Sequence, residues 1–103
     1  MRSRFEGFGY HLNETVDYSL AEDDHVYYQD LDGIGGKWIR YEGEFFDDNR
    51  EGKGRLYLSN GDIIYGDFEN NKLVGDSFVY KAIEKRIIKG YWEENKLVRI
   101  YTD

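Results

Sequence analysis

The chain has 103 residues, of which 40% are hydrophobic, 17% aromatic and 34% charged, so it makes one small domain and is too apolar to stay disordered. It has no cysteine and no proline, which excludes a disulfide scaffold, a thiolate metal site and a thiol nucleophile. A formal net charge of −7 argues against direct contact with nucleic acid or an anionic membrane, and no apolar run reaches the length of a span. A cytoplasmic protein is expected.

Residues 1–40 read as an acidic, tyrosine-rich extension. Phe5-Glu6-Gly7-Phe8-Gly9-Tyr10 has the look of a worn strand. From Glu14 to Asp32 there are seven carboxylates (Glu14, Asp17, Glu22, Asp23, Asp24, Asp30 and Asp32) and no Lys or Arg, with Tyr18, Tyr27 and Tyr28 between them. Asn13 offers a cap for a short helix over Glu14 to Asp24, but the apolar positions there are too sparse to give such a helix a buried face. Val26-Tyr27-Tyr28 reads as a short strand between acidic turns. Asp32-Gly33-Ile34-Gly35-Gly36 reads as a flexible connection into Lys37-Trp38-Ile39-Arg40.

Beyond residue 40 the chain repeats itself. Tyr41-Glu42-Gly43-Glu44-Phe45 returns as Ile64-Tyr65-Gly66-Asp67-Phe68 and again as Ile88-Lys89-Gly90-Tyr91-Trp92, shifts of 23 and 24. Polar stretches follow in register: Asp47-Asp48-Asn49-Arg50, Asn70-Asn71-Lys72-Leu73 and Glu94-Asn95-Lys96-Leu97. Each unit predicts a β-hairpin. Strand alternation puts Tyr41, Gly43 and Phe45 on one face and Glu42 and Glu44 on the other. Gly43 leaves a gap over which a ring can lie. Arg55 to Leu58 forms the return strand, with Leu56 and Leu58 on one face and Tyr57 opposite, and Ser59-Asn60-Gly61-Asp62 makes a tight turn. One hairpin cannot bury its apolar face alone, so the units must stack side by side.

These residues carry a family resemblance. Tyr41-x-Gly43-x-Phe45, the turn, Gly52-x-Gly54 and Asn60-Gly61 resemble the MORN repeat over about two and a half units, residues 41–98. The resemblance implies antiparallel hairpins laid into one elongated meandering sheet, and a role as a scaffold or dimerisation module. Some members are proposed to contact phospholipid head groups; the 21 acidic residues against 14 basic ones disfavour that here. The sequence departs from the family pattern at Glu51 and Val74, where a histidine is usual, at Ser77 in place of the second glycine, and in the longer turn Lys81 to Lys85.

Candidate chemistry is sparse. Ser3, Ser19, Ser59 and Ser77 lack a nucleophile elbow, and His11 and His25 stand alone. Asp30-x-Asp32-Gly33 is only part of a calcium loop. Asp47-Asp48 and Glu93-Glu94 fall at equivalent hairpin turns, where solubility accounts for them. The expectation is a protein that is not an enzyme and uses neither metal nor cofactor.

Two surfaces are candidates for a protein partner. Tyr41, Phe45, Phe68 and Trp92 recur at repeat spacing as a stacking ladder, which leaves Tyr57, Tyr65, Tyr80 and Tyr91 on the opposite face, either exposed for a partner or covered by residues 1–40. The other is the acidic patch of Glu22, Asp23, Asp24, Tyr27, Tyr28, Asp30 and Asp32, which is either a solvated face or a surface complementary to a basic partner. The first suits a protein-interaction module. The second suits a small acidic inhibitor or immunity factor blocking the basic site of a nucleic-acid-binding protein. The terminal strand Arg99-Ile100-Tyr101 invites a homodimer through a sheet edge.

The expected architecture is thus all-β, a single antiparallel sheet of stacked hairpins over residues 41–103, with residues 1–40 packed on it as one compact domain.

Overall fold

The computed structural model describes residues 7–18 and 28–101. Seven strands, β1 Gly7–Leu12, β2 Trp38–Phe46, β3 Asn49–Leu58, β4 Ile63–Glu69, β5 Lys72–Lys81, β6 Arg86–Glu93 and β7 Lys96–Tyr101, form one antiparallel sheet in which every strand lies beside the next in sequence. The fold is all-β, as the repeat predicts. Connections of two to four residues after β2 leave the chain no route except straight back along its own flank.

Three hairpins turn on two residues that are both left-handed: Asp47 and Asp48 (φ 55° and 65°), Asn70 and Asn71 (53° and 70°), and Glu94 and Asn95 (45° and 70°). This is the geometry whose twist matches the strands it joins, and Asn and Asp adopt it at little cost. The turn expected over Asp47 to Arg50 is therefore two residues long, and β3 begins at once. The second residue of a tip also hooks onto the previous hairpin. The Asn71 Oδ1 accepts from the Arg50 backbone N–H at 2.8 Å, and the Asn95 Oδ1 accepts from that of Leu73 at 2.8 Å. Gly52 (φ 80°) and Gly75 (φ 76°) lie inside the register shifts of β3 against β2 and of β5 against β4. They are bulges recurring at the repeat spacing, at positions where a side chain would strain the backbone.

Strand alternation sorts the side chains. One face carries Tyr41, Phe45, Leu56, Leu58, Ile64, Phe68, Leu73, Val79 and Trp92, all buried. Tyr41 meets Phe45 and Phe68 edge-on, with ring centroids 5.0 and 5.3 Å apart. Its ring crosses the sheet over Gly54, where any Cβ would overlap it. The gap read at Gly43 thus belongs to a pair of opposed glycines, Gly43 and Gly54.

The cover for this face comes from the N-terminal segment. Tyr28, Leu31 and Ile34 are buried in the same core. The stretch expected as a flexible connection instead forms a single-turn 3-10 helix, Leu31–Ile34, capped by Asp30, whose Oδ1 accepts from the Asp32 N–H at 3.0 Å. At three residues per turn Leu31 and Ile34 point the same way, into the sheet. The rest of this segment bears on three further readings. Residues 14–18 form turns and no helix, in keeping with their sparse apolar positions; the Asn13 Oδ1 accepts from the Thr15 N–H at 3.1 Å, and its Nδ2 reaches across to donate to the Trp38 carbonyl at 2.9 Å. Tyr28 lies in a turn, not a strand; Val26, Tyr27 and residues 19–24 lie outside the described residues. The worn strand is β1, laid antiparallel on β2 with Gly9 opposite Gly43.

Candidate functional site

The opposite face of the sheet has no cover among the described residues. The pairing assembles a rung that crosses every strand: Tyr10, Glu42, Arg55, Tyr65, Phe78, Lys89 and Tyr101 stand opposite one another in turn. A second rung runs Leu12, Arg40, Tyr57, Ile63, Tyr80 and Ile87. Tyr91 pairs with Asp76 on one side and Arg99 on the other.

The four tyrosines singled out from the repeat therefore share this face. Tyr57, Tyr65 and Tyr80 are half-buried by their neighbours, and Tyr91 is exposed. The Tyr57 hydroxyl donates to Glu42 at 2.9 Å, and the Arg40 guanidinium sits 4.2 Å above its ring. Tyr65 stacks on Phe78, with centroids 4.6 Å apart and planes inclined by 19°. Charges of both signs are interleaved: Arg55 reaches Glu42 at 3.6 Å and Lys53 reaches Asp67 at 3.6 Å. A shallow groove of about 480 Å³ runs along the first rung, on the side away from the second, walled by Phe8, Arg55, Tyr65, Phe78, Asp67 and Asp76. The Tyr101 hydroxyl donates to Asp76, and that bond pushes its phenol above the usual range. The sequence pattern marks four residues of this surface. It missed Phe8, Tyr10, Phe78 and Tyr101, although parity along each strand would have placed them.

The residues of the acidic patch do not share one exposed surface among those described. Glu22, Asp23, Asp24 and Tyr27 lie outside the described residues. Tyr28, read as part of that patch, is a core residue: its ring is buried, its carbonyl accepts from Trp92 Nε1 at 2.9 Å, and its hydroxyl donates to Asp62. Burial, then Asp62, pushes its phenol well above the usual tyrosine range. Asp30 and Asp32 both grip Lys96, at 2.8 and 2.7 Å. Those bonds hold both carboxyls below, and the Lys96 ammonium above, their ordinary values. They clamp the N-terminal segment to the β6–β7 hairpin, and the Asn95 Nδ2 adds a bond to Asp32 at 3.0 Å.

The residues considered for catalysis are dispersed. The Ser59 hydroxyl bonds the Asp17 carbonyl, that of Ser77 bonds the Val74 and Gly75 carbonyls, and His11 packs on Trp38 at 5.7 Å. Ser3, Ser19 and His25 lie outside the described residues. Among the described residues no three His, Asp or Glu side chains converge on a point where a metal ion would sit.

Comparison with known proteins agrees with the repeat. No curated protein matches the chain. A family model does match, over the hairpin that keeps the Tyr-x-Gly-x-Phe strand, the paired glycines Gly52 and Gly54, and the turn through Asp62. That model is the MORN repeat, and it matches residues 41–63.

Proposed function

We propose that this protein is a non-enzymatic, cytoplasmic protein-interaction module that binds its partner through the open face of the sheet. The observation that carries this reading is the aromatic surface there: Phe8, Tyr10, Phe78, Tyr91 and Tyr101 remain exposed on a face that already has a packed core behind it. Large rings laid on a rigid sheet lose little entropy on binding and bury much area, and interleaved charges of both signs set the register of a partner. We also propose that a second copy pairs with the free edge of β7.

The alternative, an acidic inhibitor of a nucleic-acid-binding protein, has less behind it. Asp30 and Asp32 direct their charge at Lys96, which leaves a weaker field for a basic groove.

The test is site-specific photo-crosslinking in cells. A photoreactive phenylalanine replaces Phe8 or Tyr91 on the open face, and in separate variants Asp47 or Glu94 at the hairpin tips. One discrete protein adduct from both open-face positions and none from the tips is the expected result. Adducts confined to the tips, or none from either open-face position, would overturn it.

A further inference from the structure

Arg50 stands out against the repeat. The polar stretches align it with Leu73 and Leu97. Leu73 is fully buried and Leu97 is packed against the core. The pairing gives Arg50 the same side of the sheet, since it stands opposite Phe45. One copy of the unit has therefore placed a cation where the other two place a leucine.

The guanidinium lies among three rings, 5.4 Å from Trp38, 5.8 Å from Tyr41 and 5.7 Å from Phe68. Its Nη2 donates to the Asn71 carbonyl at 3.1 Å, and its Nε is sealed off without an acceptor. Among the described residues no carboxylate pairs with it. Nη1 has no hydrogen-bond partner among the described residues, and it is not among the sealed atoms. Burying a guanidinium without an anion is costly, and cation–π contact offsets part of that cost. A leucine would fit the register without it.

Beside Arg50 the core face opens into a cavity of about 220 Å³. It lies under the 3-10 helix and the hairpin tips, with apolar walls that include Ile34, Trp38, Leu56 and Phe68. A dry apolar cavity of about 150 Å³ already accepts benzene, so a benzoate-sized molecule fits. Lys72 stands at the same cavity, and the Asp32 that also lines it is held by Lys96, which it shares with Asp30, and faces the Lys72 charge.

We infer that this cavity is a binding site for a monocarboxylate with a short apolar body, its carboxylate on Arg50 and its apolar part against Trp38, Ile34 and Phe68. A carboxylate fits the planar donor set of a guanidinium. A phosphate would bring a second negative charge into a cavity that Asp32 already lines, which a monocarboxylate does not. The site lies on the opposite face from the proposed partner surface and does not depend on that reading. The carboxylate comes from a free acid or from the end of a peptide.

The test is titration followed by NMR on the Trp38 indole N–H and the Arg50 Nε–H, with benzoate, its neutral isostere benzamide, inorganic phosphate, and a leucine-terminated tripeptide as the acid and as the amide. Saturable shifts with benzoate, at least tenfold weaker with benzamide, are expected. Arg50→Leu installs the residue the other repeats use, so it should unfold at a higher temperature than wild type while losing benzoate affinity at least tenfold. If Arg50→Leu does not fold, the wild-type comparison of benzoate with benzamide still decides. Benzamide binding as well as benzoate, phosphate binding in place of carboxylates, or no saturable shift with any carboxylate would overturn the site. Given benzoate binding, a peptide acid that binds more tightly, with its amide silent, assigns the source to a chain end. The reverse assigns it to a free acid.

Discussion

At the scale of single residues, Asp62 shows how much one buried carboxylate can join. Its Oδ2 accepts from the Tyr28 hydroxyl and from Asn60 Nδ2 at 3.1 Å, while its Oδ1 accepts from the Ala82 N–H at 2.9 Å. Three segments distant in sequence meet on one side chain, at 4% exposure. Asp62→Ala strands two buried donors and one half-buried one and should cost about 3 kcal/mol, read from urea unfolding. Tyr28→Phe removes one donor along with its bond and should cost about 1 kcal/mol. Equal costs would mean that the network does not work this way. The turn at Asn60-Gly61-Asp62 was legible from residue type, because Asn-Gly takes positive φ cheaply. The reach to Tyr28, 34 positions earlier, was not, because an acidic turn residue with no visible partner defaults to solvent. Arg50 was missed for a similar reason: it sits in a polar stretch, although parity back from Leu56 and its alignment with Leu73 and Leu97 both put it on the core face.

The element whose attachment the sequence hid is the N-terminal cover. It docks through three buried apolar side chains, Tyr28, Leu31 and Ile34, and the Lys96 clamp adds to what keeps it there. Asp30 and Asp32 have folded-state pKa values lowered chiefly by Lys96. Their contribution is therefore complete above about pH 4 and is lost as pH falls through the lowered values. The pKa of Lys96 is raised by the same bonds, so its share is present below its unfolded value and lost as pH rises through the folded one. Urea unfolding from pH 2.5 to 5 should show stability falling with acid in wild type, with a visibly flatter slope in Lys96→Met. Parallel slopes would show that the clamp does not couple to folding. The hairpins themselves were readable because every determinant is local: a two-residue tip, a bulge glycine and alternation recur every 23 or 24 residues. The cover was not, since Leu31 and Ile34 between glycines give no periodic signal until a sheet exists for them to face. The acidic run containing Asp30 and Asp32 likewise signals charge without revealing the lysine more than sixty residues away.

At the scale of the whole molecule, an open meander has two ends. β1 and β7 each offer an unpaired edge among the described residues. β7 is already occupied at its start, where the Leu97 N–H donates to the Gln29 carbonyl at 2.9 Å. That leaves Val98 to Tyr101, with Val98 and Ile100 largely exposed. β1 carries two glycines in six residues, a poorer template for pairing. Antiparallel pairing of β7 with β7 of a second copy closes on a twofold axis and stops at a dimer. Pairing β7 with β1 would leave free ends and run on into a filament. The expected outcome in sedimentation velocity at tens of micromolar is a dimer of the 12.2 kDa chain. Ile100→Lys, which places a charge on that edge, should return it to monomer, and Leu12→Lys on β1 should not. A monomer throughout the concentration range would remove edge pairing from the account. Larger species dispersed equally by both substitutions would replace the closed dimer with the head-to-tail arrangement.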